Sequence, residues 1–187
     1  MKLKTLGIYQ GIIFTIIFGA FSFITWSRGV DTYIEFGPYI LYGWGGLTLV
    51  IPVLVGLAYR QITKPKELTF TDALQFAFLT YVIYEVGYAT VNVVLSNFLD
   101  KGFNHATYVT ALHNDIADAI KLGKPADGFN KELAFENAHP SGPYTFIQVI
   151  LSLGQGLIWG FMKAMLVAIV IRKRPRGPKA PGDPQKP

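Results

Sequence analysis

A chain of 187 residues with 51% hydrophobic content, 17 Lys+Arg against 12 Asp+Glu and a formal net charge of +5 has the make-up of one small membrane domain. The absence of cysteine excludes disulfides, thiolate metal sites and thiol catalysis. Little chain is left over for a soluble catalytic domain, and no fold or motif supports nucleic-acid binding.

Four charge-poor runs dominate the chain. No charge lies between Lys4 and Arg28, or between Glu35 and Arg60. Glu85 alone falls between Asp72 and Asp100, and Lys163 alone between Glu136 and Arg172. Crossing the hydrocarbon takes roughly 20 mostly apolar residues, so the spans are read as Leu6–Trp26, Tyr39–Tyr59, Ala73–Leu99 and Tyr144–Ile171. Long continuous runs predict helices, because a backbone in lipid must satisfy its own polar groups. Lys2 and Lys4 resemble the start of a signal peptide, but the first run exceeds an ordinary h-region and no small-residue cleavage site follows, so a retained helix is expected. Pro52 predicts a kink in the second span. Trp26, Arg28, Tyr33 and Tyr39 suit an interfacial belt.

Basic residues set the expected orientation. Lys2 and Lys4, then Arg60, Lys64 and Lys66, then six in the tail (Arg172, Lys173, Arg174, Arg176, Lys179, Lys186) mark the cytoplasmic side, with both termini inside. The domain is expected over 1–173, in a bacterial inner membrane. Residues 174–187 form a Pro/Gly-rich basic tail that cannot bury a core.

The long third connection, 100–143, is expected to be helical and extracytoplasmic. Val109, Leu112, Ile116 and Ile120 recur at helical spacing, with Asn104 as N-cap and Gly123 followed by Pro125 as the stop. A second, shorter helix is predicted over Lys131–Ala138, and His139–Pro143 reads as a turn. His113, Asp115 and Asp118 do not share one helical face, so no metal site is expected, nor any other cofactor. HEXXH, Walker, GXSXG and dinucleotide motifs are absent, which leaves no catalytic residues to name.

Two constellations stand out. The first is a pair of small-residue strips: Gly7, Gly11, Thr15 and Gly19 in the first span, and Ser152, Gly156, Gly160, Ala164 and Ala168 in the fourth. Such strips let another backbone approach closely. One reading packs spans one and four together. The other docks a second copy or a membrane-protein partner, and then Gly156→Leu or Gly160→Leu would abolish assembly. The second constellation is Glu85 with Tyr81 and Tyr88 on its face, and Lys163 beside the fourth-span strip. Charges at this depth face the bundle interior or water. Either they form a buried ion pair, or they serve as a proton or ion site.

The stretch Tyr59–Arg60 through Thr69–Leu74, and the ending Leu166–Arg174, resemble a bacterial four-span inner-membrane family known only as a domain of unknown function (number 4199). The resemblance implies a fold and a location, and carries over no catalytic or ligand residues. The expectation is an all-α protein of four transmembrane helices. It lies in the lipid bilayer and acts without catalysis, as an accessory or scaffold subunit through helix association. The alternative is a small proton- or ion-coupled transporter using Glu85 and Lys163.

Overall fold

The computed structural model describes residues 2–63 and 68–172. The expected basic tail and residues Lys64 and Lys66 of the second connection lie outside the described residues. Among the described residues the chain is helical, with no β-strand: α1 (Leu3–Ser27), α2 (Val30–Pro38), a π-helical turn (Tyr39–Trp44), α3 (Gly45–Thr63), α4 (Phe70–Val93), a second π-helical turn (Val94–Leu99), α5 (Phe103–Lys121), α6 (Asp127–Ala138) and α7 (Phe146–Ile171). Four segments are long and apolar enough to cross a membrane: Leu3–Ser27, Gly45–Thr63, Phe70–Leu99 and Phe146–Ile171. This is a multi-pass membrane protein. Its outer surface agrees, since Ile16, Leu54, Leu151 and Ile158 are all more than half exposed and would meet lipid.

Local chemistry sets several helix ends. Thr69 caps α4 by accepting from Asp72 N at 3.1 Å, and Asp72 also suits the positive end of the helix dipole. Thr145 and Gln148 form a reciprocal capping box at the start of α7. Gly123 ends α5 with φ +64°, and Lys124 N reaches back to Ala119 O at 2.8 Å. Asn104 is not the N-cap of α5. Gly102 holds that place, and Asn104 sits inside the first turn, donating to Gly142 O at 2.9 Å. The second connection helix starts earlier than its sequence suggested, at Asp127. The first connection contains a helix, α2, that the sequence reading did not expect.

The bundle is organised around α4, and α1 and α7 pack on its two sides. The strips of spans one and four therefore do not meet each other, as had been expected, but grip α4 between them. A Cβ on Gly11 would lie 2.7 Å from Thr80 O and 2.8 Å from Ile83 Cβ, and one on Gly7 would collide with Phe76 O. Gly19 faces Val91, and Gly87 on α4 returns the favour by leaving room for Thr15. On the other side, a Cβ on Gly160 would lie 2.9 Å from Tyr81 Cβ, and Ala164 and Ala168 are fully buried. The contact is close enough for hydroxyls to bond across it: Thr80 Oγ1 donates to Gly7 O at 3.2 Å. Without a hydrophobic drive between helices in lipid, this approach is what holds them together.

At the end opposite the termini, α5 packs on α2 and α6 and caps the bundle. Of the predicted apolar stripe, Leu112 is buried and Val109 and Ile116 are half-buried, but Ile120 is 67% exposed. Tyr33 is no belt residue: it turns inward against Phe103, ring centroids 5.0 Å apart.

Gly11→Leu should overpack the α1–α4 contact and cost about 1–3 kcal/mol, read as a lowered Tm in detergent. Gly46→Ala, with nothing within 4 Å of the new Cβ, should leave the Tm unchanged or raised.

Candidate functional site

Glu85 and Lys163, each well inside a membrane-crossing helix, line one open cavity of about 540 Å³ bounded by α1, α2, α3, α4 and α7. Glu85 is half-buried on α4, opposite Gly156 of α7, where any Cβ would collide with its carboxylate. Gly156 is thus the seat of Glu85 rather than an outward docking residue. Among the described residues, no group donates a hydrogen bond to that carboxylate and no ion pair within 4.0 Å joins it to Lys163. The helix register explains the gap. Lys163 lies seven residues beyond Gly156, roughly 10 Å along α7.

Lys163 has its own surroundings. Its Nζ is 3.5 Å from Thr48 Oγ1 and 5.8 Å from the centroid of the Tyr81 ring. Thr48 is held by two contacts. Its hydroxyl donates to Gly45 O at 2.8 Å, and its carbonyl accepts from the Tyr81 hydroxyl at 2.9 Å. That carbonyl is free because the residue four positions on is Pro52, which has no N–H to give it. Pro52, Thr48, Tyr81 and Lys163 therefore form one chain of cause across three helices. Tyr81 is accordingly buried, 1% exposed, and supports the site rather than opening into it.

Of the residues singled out from the sequence, Glu85, Tyr88, Lys163, Ser152 and Gly156 come together around the cavity. Gly7, Gly11, Gly19, Gly160, Ala164 and Ala168 serve the α4 contacts instead. Trp44, Thr48, Tyr84, Gln155 and Trp159 also line the cavity and were not anticipated. Two signals were present. Tyr81, Tyr84 and Tyr88 recur at helical spacing around Glu85, and Thr48 stands four residues before a proline. Trp44 Nε1 donates to the Tyr84 hydroxyl at 3.1 Å, and Phe14 and Phe18 pack edge-on against Tyr84, forming an aromatic wall towards α1. Ser152, Gln155 and Trp159 are exposed, so the cavity is reached from between α3 and α7. Those two helices close nearer the termini, where Gly56 seats Ile171 and Arg60 Nη1 reaches Arg172 O at 3.4 Å.

The described residues hold two further hollows of note. An apolar groove of about 400 Å³ shares Phe18 and Trp44 with the Glu85 cavity. A cavity of about 540 Å³ under α5 is lined by Tyr33, Tyr108, Tyr144 and Gln148 among others. Burial pushes the Tyr33 hydroxyl up to about 12, with Tyr88 and Tyr144 adding to the rise. Tyr88 itself lines the Glu85 cavity.

The polar residues of the long connection build a clasp. Glu136 Oε1 lies 2.8 Å from His105 Nδ1 and accepts from Ser141 N at 2.7 Å, while Oε2 accepts from Ser141 Oγ at 2.9 Å. Serine and imidazole both bond to the carboxylate and not to each other, so this is no nucleophile–base pair. His113, Asp115 and Asp118 are exposed, and Asp118 pairs with Lys121 at 3.1 Å. Among the described residues no three His, Asp or Glu side chains gather to hold a metal ion.

Removing the Tyr81 hydroxyl should leave the Thr48 carbonyl unsatisfied and cost about 1–3 kcal/mol. Pro52→Ala restores an N–H there, so the double variant Tyr81→Phe, Pro52→Ala should recover much of the loss, read as Tm in a double-mutant cycle. The clasp carries a pH signature. Local burial raises the Glu136 carboxyl, but the bonds from His105 and Ser141 outweigh it and hold the group below its ordinary 4.5. A depressed acid stabilises the fold above its unfolded value and loses that stability as pH falls through the folded one. The protection of α5 and α6 amides against hydrogen exchange, relative to their intrinsic rates, should therefore fall below about pH 4.5, and Glu136→Gln should flatten the dependence.

No curated protein and no solved structure matches the chain. A family model described as a protein of unknown function (DUF4199) matches residues 7–173, spanning all four membrane helices and the connection that caps them. The chain belongs to that family.

Proposed function

We propose that this protein is a small membrane carrier whose binding site is the Glu85–Lys163 cavity. The observation that carries this reading is that an acid and a base within the membrane-crossing helices line one cavity with no ion pair within 4.0 Å between them. A charge at that depth is costly, and one kept unpaired beside a cavity is better explained by a solute or ion that visits it than by structure alone. Binding and movement, rather than bond chemistry, is the activity this supports.

The competing reading, an accessory subunit that docks through its small-residue strips, loses support because both strips face α4 inside the same chain. Association would have to use the lipid-facing surface. We place the protein in a bacterial inner membrane, with Lys2, Lys4 and Arg60 marking the cytoplasmic face and α5 and α6 outside.

The chain has no cysteine, so single cysteines can be introduced without background. Ser152→Cys, in the cavity wall, should react with a membrane-impermeant thiol reagent in intact vesicles, because thiolate forms only where water reaches. Ile158→Cys, 66% exposed on the lipid-facing side of α7, should not. Equal inertness of both cysteines from either side of the membrane would mean a sealed cavity and would sink the carrier reading.

A further inference from the structure

We infer that the occupant of the Glu85–Lys163 cavity is a zwitterion, its cationic group received by Glu85 and its anionic group by Lys163. The inference rests on the carrier reading of the same cavity and adds the ligand's chemical class.

Three observations converge. The two charges line the same cavity, on facing helices, and no ion pair within 4.0 Å joins them. The Glu85 carboxylate receives no hydrogen bond among the described residues, whereas Lys163 has only the long contact to Thr48 and the face of Tyr81. Gly156 lets Glu85 sit hard against α7, and the backbone of Lys163 lies seven residues further on, roughly 10 Å along that helix.

In a low-dielectric site, an anion at Lys163 would feel the repulsion of Glu85, and a cation at Glu85 that of Lys163. A ligand carrying both charges completes two attractive contacts and leaves the occupied site neutral. Each ligand charge still gives up its hydration, which the two contacts must offset. Tyr84 and Tyr88 line the cavity on either side of Glu85. A volume of about 540 Å³ suits a small molecule.

An ammonium and an anion on one molecule have two sources here. One is a free solute such as an amino acid. The other is the head of a zwitterionic lipid entering between α3 and α7, its chains lying in the apolar groove that shares Phe18 and Trp44 with the cavity.

Thermal unfolding of the purified full-length protein in detergent tests this. The probes are γ-aminobutyrate, glycerophosphoethanolamine and phosphatidylethanolamine, with butyrate, butylammonium and phosphatidylglycerol as singly charged controls. A zwitterion at tenfold excess over its Kd should raise the Tm by about 3 °C or more, and the controls should not. Glu85→Gln and Lys163→Met should each lose the response, while Glu85→Asp and Lys163→Arg, which keep the charge, should retain part of it. A shift with the water-soluble probes identifies a free solute, and a shift with phosphatidylethanolamine alone identifies a lipid head. Equal stabilisation by a control, a response that survives in both Glu85→Gln and Lys163→Met, or no shift with any zwitterion overturns the inference. If Ser152→Cys still labels in that case, the carrier reading stands and only the ligand class falls; if it does not label, both fall.

Discussion

Everything else in this molecule depends on how closely two helices can approach α4. In lipid, apolar side chains gain nothing by leaving the solvent, so helices hold together through packing, hydrogen bonds across the contact and shape. Here α4 has a strip of small residues on each flank. Gly7 and Gly11 admit its backbone on one side, and Gly156 and Gly160 admit Glu85 and Tyr81 on the other. The two sides are used differently. Against α1 the approach is backbone to backbone, close enough for Thr80 to bond Gly7 O at 3.2 Å. Against α7 the space left by glycine is taken by the Glu85 and Tyr81 side chains of α4. One flank fixes the helix and the other stores its polar groups.

The second constraint is Pro52. A proline in a membrane helix frees the carbonyl one turn earlier, and a free carbonyl in hydrocarbon must find a donor. Thr48 O finds the Tyr81 hydroxyl, which ties α3 to α4 and places the Tyr81 ring beneath Lys163. The hydroxyl of the same threonine turns to Lys163. A residue that reads as a helix irregularity is thus what orients the cationic half of the cavity.

The capping layer is tied down by other means. Glu136 gathers His105 and Ser141, and Asn97 bonds Tyr144 through both backbone atoms, Nδ2 to Tyr144 O at 2.9 Å and Tyr144 N to Oδ1 at 2.8 Å. These bonds fix the start of α7 against the end of α4, and so fix the register on which the distance between Glu85 and Lys163 depends. Tyr88 looks into the Glu85 cavity, while its neighbours Tyr33 and Tyr144 look into the one beneath α5.

The membrane segments, their number and the two intramembrane charges were legible in the sequence, because hydrocarbon imposes a length and a charge rule on each segment alone. The helix stop at Gly123 was legible for the same kind of reason: a left-handed turn asks for glycine locally. What depended on neighbours was not. Spacing revealed that the strips around Gly11 and Gly156 are flat, but a flat strip does not name the helix that lies on it. Only the tertiary structure decided that both face α4, since the choice turns on which partner offers Phe76, Thr80, Tyr81 and Glu85 at matching heights. For the same reason Thr48 and Trp44 stayed hidden. The carbonyl that Pro52 releases at Thr48 is a property of α3 alone, but the Tyr81 hydroxyl that takes it up and the aromatic groups that meet Trp44 lie on other helices, and no single helix records them.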